Sequence, residues 1–161
     1  MNDEERKAEA LALWQQAYEC QMRGELDRAI ELYKRSLEVY PTAEAHTFLG
    51  WTYSFLGRID EAIAECLKAI EVDPDFGNPY NDIGAYLIEK GQLDAAIPWL
   101  EKAKRAPRYE ARCYPYVNLG RIYEMKGKWQ EAAREYRQAL EIEPRYRAAY
   151  LALKRVESLL N

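Results

Sequence analysis

Apolar and small residues recur along this chain at the spacing of one helix face, and glycine interrupts the pattern at Gly24, Gly57, Gly91 and Gly127. Glycine there can take a positive φ and close a helix C-terminus at little steric cost. The next helix is then predicted to start at residues 25–27, 58–60, 92–94 and 128–130. Asp27, Asp60 and Asp94 fall in the first turn of those helices, where a carboxylate suits the helix dipole. Ala29, Ala62, Ala96 and Ala132 are small enough to let two helices approach closely, with Leu26, Ile59, Leu93 and Trp129 covering the corner. Pro41, Pro74 and Pro144 stop the second helices. A last amphipathic helix is predicted over 147–160, with Tyr150, Leu153 and Val156 turned to the preceding helix and Arg147, Lys154, Arg155 and Glu157 to water.

These features repeat as a unit. Asn118-Leu119-Gly120-Arg121-Ile122-Tyr123 is followed by Gly127, Ala132, Tyr136, Ala139 and Pro144. Earlier copies run Leu49-Gly50-Trp51-Thr52-Tyr53 with Gly57, Ala62, Cys66, Ala69 and Pro74, and Ile83-Gly84-Ala85-Tyr86-Leu87 with Gly91, Ala96, Leu100 and Ala103. A worn first copy keeps Ala17, Cys20, Gly24, Ala29, Tyr33, Ser36 and Pro41. The helix-packing alanines are spaced 33 (29 to 62), 34 (62 to 96) and 36 (96 to 132) residues apart. The chain resembles the tetratricopeptide repeat family, whose period is about 34 with a W-x2-L-G-x2-Y…A-x3-F…P pattern. The resemblance covers units at about 10–42, 43–76, 77–112 and 113–146. It implies an all-α, right-handed solenoid of helix-turn-helix repeats with a concave groove lined by the first (A) helix of each unit. Residues 147–160 become the terminal cap that a solenoid end requires, and 1–161 one domain.

Composition narrows the function. A net charge of -4 and a pI near 5.2 lack the basic footprint of a nucleic-acid binder. No apolar run reaches membrane-span length, and Met1-Asn2-Asp3-Glu4-Glu5-Arg6-Lys7 is no secretory signal, which points to the cytoplasm. Cys20, Cys66 and Cys113 are far apart without a C-x-x-C and read as reduced buried thiols. No metal site, phosphate-binding loop or nucleophile elbow is present, and no cofactor is expected. His46, the one histidine, stands where the family pattern has Trp and reads as packing; Glu61 and Glu65 read as a solvated helix face. The chain is read as non-catalytic. Pro98 reads as a tolerated kink. The third junction, Lys104 to Arg112, carries two extra residues relative to the pattern, and with Lys102 just before it, Lys104, Arg105, Arg108 and Arg112 make the stretch locally basic; it reads as a solvated loop, with a docking patch for an acidic partner as the alternative.

The binding face would be the stripe of each A helix that the core leaves free. Trp14, Tyr18 and Met22 form it in the first unit, and Phe48, Trp51 and Phe55 in the second. Further on the corresponding places hold Asn81, Asp82, Ala85, Ile88 and Glu89, then Val117, Asn118, Arg121, Glu124 and Met125. Peptide-binding residues are therefore assigned as Trp14, Tyr18, Met22, Phe48, Trp51, Phe55, Asn81, Asp82, Asn118 and Arg121, with Trp51 the main anchor. Aromatics bury much area with few rotamers to freeze. The competing reading is that the rings pack on each other or under residues 3–10. Tetratricopeptide co-chaperones that grip a terminal carboxylate use lysine, arginine and asparagine; here the places hold Leu11, Gln15, Glu44, Phe48, Asn78 and Asp82, with no cation, which argues against that ligand. The function expected is a protein-interaction module for a peptide or helix of a partner protein, with no nucleic acid or membrane involved. A homodimerising scaffold and an accessory subunit of an enzyme complex are the alternatives.

Overall fold

In the computed structural model, which describes residues 1–161, the chain forms α1 (Asp3–Met22), α2 (Leu26–Val39), α3 (Ala43–Phe55), α4 (Ile59–Val72), α5 (Asn78–Glu89), α6 (Leu93–Arg105), α7 (Cys113–Met125), α8 (Trp129–Ile142) and α9 (Arg147–Leu160). There are no strands, only one isolated parallel bridge between Phe76 and Arg108. The helix starts and stops follow from local chemistry. Asn2 accepts a hydrogen bond from the Glu5 amide at 2.8 Å to cap α1, and Thr42 accepts one from the Ala45 amide at 3.1 Å to cap α3. Gly24 has φ 80°, which lets the Glu25 amide reach back to the Cys20 carbonyl at 2.9 Å and the Gly24 amide to Gln21 at 3.0 Å. That pair of bonds closes α1 and turns the chain into α2. The same turn recurs between α7 and α8 at Gly127.

The helices pair as α1/α2, α3/α4, α5/α6 and α7/α8, each pair packing on the next and α9 on α8. Ala29, Ala62, Ala96 and Ala132 are fully buried at the crossings. The approach is close enough where Gly120 faces Tyr136 and Gly84 faces Leu100 that an added Cβ would collide with the facing side chain. An apolar core runs from Leu13 in α1 to Ile122 in α7, and a second cluster joins Tyr136 of α8 to Leu153 and Val156 of α9. The odd-numbered helices also touch one another in the order α1, α3, α5, α7, so they form the inner arc of the solenoid.

Three sequence expectations change. Tyr150 does not pack on α8; it is 50% exposed, with the Lys154 ammonium over its ring, while Leu153 and Val156 do pack. Glu65 is not solvated. It is buried and takes hydrogen bonds from His46 Nδ1 at 2.7 Å and Lys68 Nζ at 3.1 Å, so the inward-packed His46 is also its polar partner. The 106–112 connection is not a solvated loop either. The Arg108 amide donates to the Asp75 carbonyl at 3.0 Å, and the Gly77 amide donates to the Arg108 carbonyl at 2.9 Å. Tyr109 is buried against Gly77. Four of the five cations of this stretch are engaged at home: Arg108 with Asp73 and Glu44, Arg112 with the Lys104 and Ala106 carbonyls, Lys104 with Glu101 and Glu135, and Lys102 over Trp99, while Arg105 is exposed. The two extra residues are absorbed in this strap. α7 keeps its register, with Leu119 and Gly120 buried and Tyr123 packed between the two core clusters.

Candidate functional site

On the inner arc, α1 carries Trp14, Tyr18 and Met22 one turn apart, and α3 sets Phe48, Trp51 and Phe55 beside them. The rings interlock. Trp14 stacks on Tyr18 (centroids 5.7 Å, 9°) and meets Phe48 edge-on (5.1 Å, 84°). Phe48 meets Trp51 at 5.8 Å, and Trp51 meets Phe55 at 5.0 Å. Such pairs contribute about 0.5–1.5 kcal/mol beyond area burial. The rings therefore pack on one another, and part of the row stays open to solvent. Trp14, Phe48 and Trp51 are half-buried by self-packing, whereas Tyr18, Met22 and Phe55 stay 37%, 52% and 57% exposed. Residues 3–9 are themselves exposed, and no acceptor reaches the buried Trp14 Nε1.

The row ends at a cavity of about 300 Å³. Its walls are Thr47, Phe48 and Trp51 of α3, Asn78, Asn81 and Asp82 of α5, Tyr109 and Ala111 of the strap, and Tyr114 at the start of α7. Asp82 is half-buried there, and burial pushes its carboxyl up to about 7 against the hydrogen bond of the Asn81 side chain. Asn81 and Asn118 turn out to be buried; Asn118 Nδ2 donates to Asn81 Oδ1 at 3.0 Å. Arg121 is exposed and donates to Asn118 Oδ1 at 3.0 Å. Two other places of the stripe are occupied internally: Ile88 is core, and Glu124 accepts hydrogen bonds from Arg155 and the Tyr136 hydroxyl. Sequence reasoning missed Thr47, Asn78, Tyr109, Ala111 and Tyr114. The two-residue excess at the third junction was the signal for Tyr109 and Ala111, since surplus chain must go somewhere. No three His, Cys, Asp or Glu side chains group to hold a metal, and no helix is long and apolar enough to cross a membrane.

Stacked helix pairs, an inner arc of first helices and a partly apolar inner face define a helical-repeat solenoid of the protein-binding kind. The chain belongs to the tetratricopeptide repeat family, whose models match residues 11–43, 43–76 and 75–144. It is 24% identical over 126 residues to the inactive TPR repeat-containing thioredoxin TTL3 of Arabidopsis thaliana, spanning 70% of this chain and 17% of that protein. It is 35% identical over 78 residues to a protein SGT1 homolog of Oryza sativa subsp. japonica, spanning 48% of this chain and 21% of that one. The chain thus covers only a small part of such relatives. Among solved structures it is similar to pilF of Pseudomonas aeruginosa (TM-score 0.87, 22% identity, 94% of this chain and 68% of that one). It is also similar to YrrB, described as a TPR protein with an unusual peptide-binding site (TM-score 0.69, 23% identity, 97% and 80%).

Proposed function

We propose that this chain binds a segment of a partner protein, an extended peptide or an amphipathic helix, along the inner arc between α1 and α7, and acts by binding rather than catalysis. The observation that carries the reading is the half-buried Trp51, held by Phe48 and Phe55 at the edge of the 300 Å³ cavity. A ring already fixed by its neighbours loses little entropy when a ligand covers it. The peptide site named for YrrB supports the reading by analogy. Cys20, Cys66 and Cys113 are free and buried, which suits the reducing cytoplasm.

The test is site-directed photo-crosslinking in cells. A photo-reactive phenylalanine analogue at Phe55 should capture partner polypeptides, and Trp51→Ala in the same protein should remove them. The same analogue at Lys68, exposed on α4, should not capture them. Equal capture from both positions, or capture indifferent to Trp51→Ala, would overturn the groove. Self-association is the second reading, favoured by the outer face of α9, where Tyr150 and Leu151 are 50% and 47% exposed. Light scattering across a concentration series separates the two, with a monomer expected.

A further inference from the structure

The cavity beside Trp51 has one charged wall, and that charge has no partner inside the protein. Asp82 faces neutral groups from every element packed around it. These are Thr47, Phe48 and Trp51 on α3, Asn81 and Tyr86 on α5, Cys66 on α4, Tyr109 in the strap and Tyr114 on α7. Burial is the cause of its raised pKa, and no cation offsets it. Elsewhere in the chain the rule is the opposite: Glu65, Glu124 and Glu135, carboxylates also drawn inward, each meet a lysine, arginine or histidine. A carboxylate withdrawn from water without a counter-charge is costly, and proteins ordinarily pair it. Here the unpaired acid opens onto a cavity whose aromatic members, Trp51, Tyr109 and Tyr114, present the kind of ring that attracts a cation. The volume is at the small end for ligand sites and suits one long side chain rather than a cofactor.

We infer that this cavity reads a basic side chain, lysine or arginine, carried by the partner segment, with the Asp82 carboxylate taking the charge and Phe48 and Trp51 taking the apolar stem and its neighbours. The inference rests on the groove reading above and specifies the chemistry of its ligand. It is the reverse of carboxylate capture: an acidic or terminal carboxylate would be repelled at this point of the groove.

Random dodecapeptides displayed on phage and selected on the immobilised full chain supply the probes, and fluorescence anisotropy reads their affinities. Peptides weakened by Trp51→Ala should share a lysine or arginine at one fixed position. Replacing that residue by norleucine, and separately making Asp82→Asn, should each weaken binding about tenfold or more, and the two changes together no more than one alone. Binding to the wild type should strengthen from about pH 5 to about pH 8 as Asp82 ionises, and binding to Asp82→Asn should not. The norleucine peptide acts on the unaltered protein, so the result does not depend on how the variant folds. Trp51-dependent peptides that lack a basic residue and bind Asp82→Asn as well as wild type would sink this inference and leave the groove standing. If no selected peptide is weakened by Trp51→Ala, the groove reading fails and this inference with it.

Discussion

His46, read from sequence as a packing residue, bridges α3 and α4 by a 2.7 Å hydrogen bond to Glu65 inside the protein. Burial alone would raise the Glu65 carboxyl, but the hydrogen bonds from His46 and Lys68 outweigh it and hold the group below its ordinary value of 4.5. The unfolded chain therefore binds that proton more tightly. The stabilisation is present above about 4.5 and is lost as pH falls below it. His46→Ala removes one partner of a buried carboxylate and should cost about 1–3 kcal/mol in urea unfolding. Asp82 runs the other way. Its pKa rises from 3.8 to about 7, so the folded state holds the proton more tightly, and stability should decline as pH rises through that window. Asp82→Asn should flatten that part of the stability-pH curve; an unchanged slope would mean that Asp82 is solvated. Neighbouring positions on α3 separate binding from folding. Tyr53 is 4% exposed, beneath the Arg58 guanidinium at 4.4 Å, and Tyr53→Ala should cost about 3–5 kcal/mol of stability. Trp51→Ala should cost clearly less stability, while weakening partner binding by about 2 kcal/mol or more.

At the scale of elements, the 106–112 strap is the departure from a regular repeat. Sequence alone treats surplus loop length as thermodynamically cheap, and deleting two residues between Arg105 and Arg112 would then cost little. The structure changes that expectation, because the surplus is packed. Tyr109 closes against Gly77, and Arg108 is bonded through its backbone to the preceding junction. Tyr109→Ala should lower stability by about 2 kcal/mol or more in thermal or urea unfolding. Arg108→Ala should cost within about 1 kcal/mol, because its ion pairs with Asp73 and Glu44 are half-exposed. The two-residue deletion should resemble the first. If all three changes prove mild, the strap is only a connection.

Across the whole molecule, stability is shared between neighbours, so an end repeat depends on its cap. Val156 is fully buried against the α8 cluster, and Arg155 holds Glu124 of α7 at 2.6 Å. Truncation after Pro144 uncovers the Tyr136 face of α8 and should lower the melting temperature or drive aggregation. Size-exclusion chromatography with light scattering and a thermal melt check this; a monomer with an unchanged melt would show that α9 is not a cap.

The helices, their breaks and their stacking can all be read off the amino-acid order. Those follow from local rules that repeat: a glycine able to turn at positive φ, a small residue at each crossing, a proline after the second helix. It also placed the aromatic stripes of α1 and α3 on one side, because helical spacing alone fixes which residues share a face. Which of those residues remain available depends on how the repeats pack. Asn81 and Asn118 look equivalent to surface residues in sequence, yet they bond to each other across helices 37 positions apart. Glu65 reads as solvated from its neighbours, yet it is buried against α3 and bonded to His46, 19 positions away. Asp82 became the unpaired wall of a cavity because the strap and α7 close over α5, bringing Tyr109 and Tyr114 opposite Trp51. Periodicity encodes a direction relative to one helix axis; the neighbours met in that direction depend on how separate repeats pack, and a non-repeating insertion such as the strap breaks the pattern from which they could have been read.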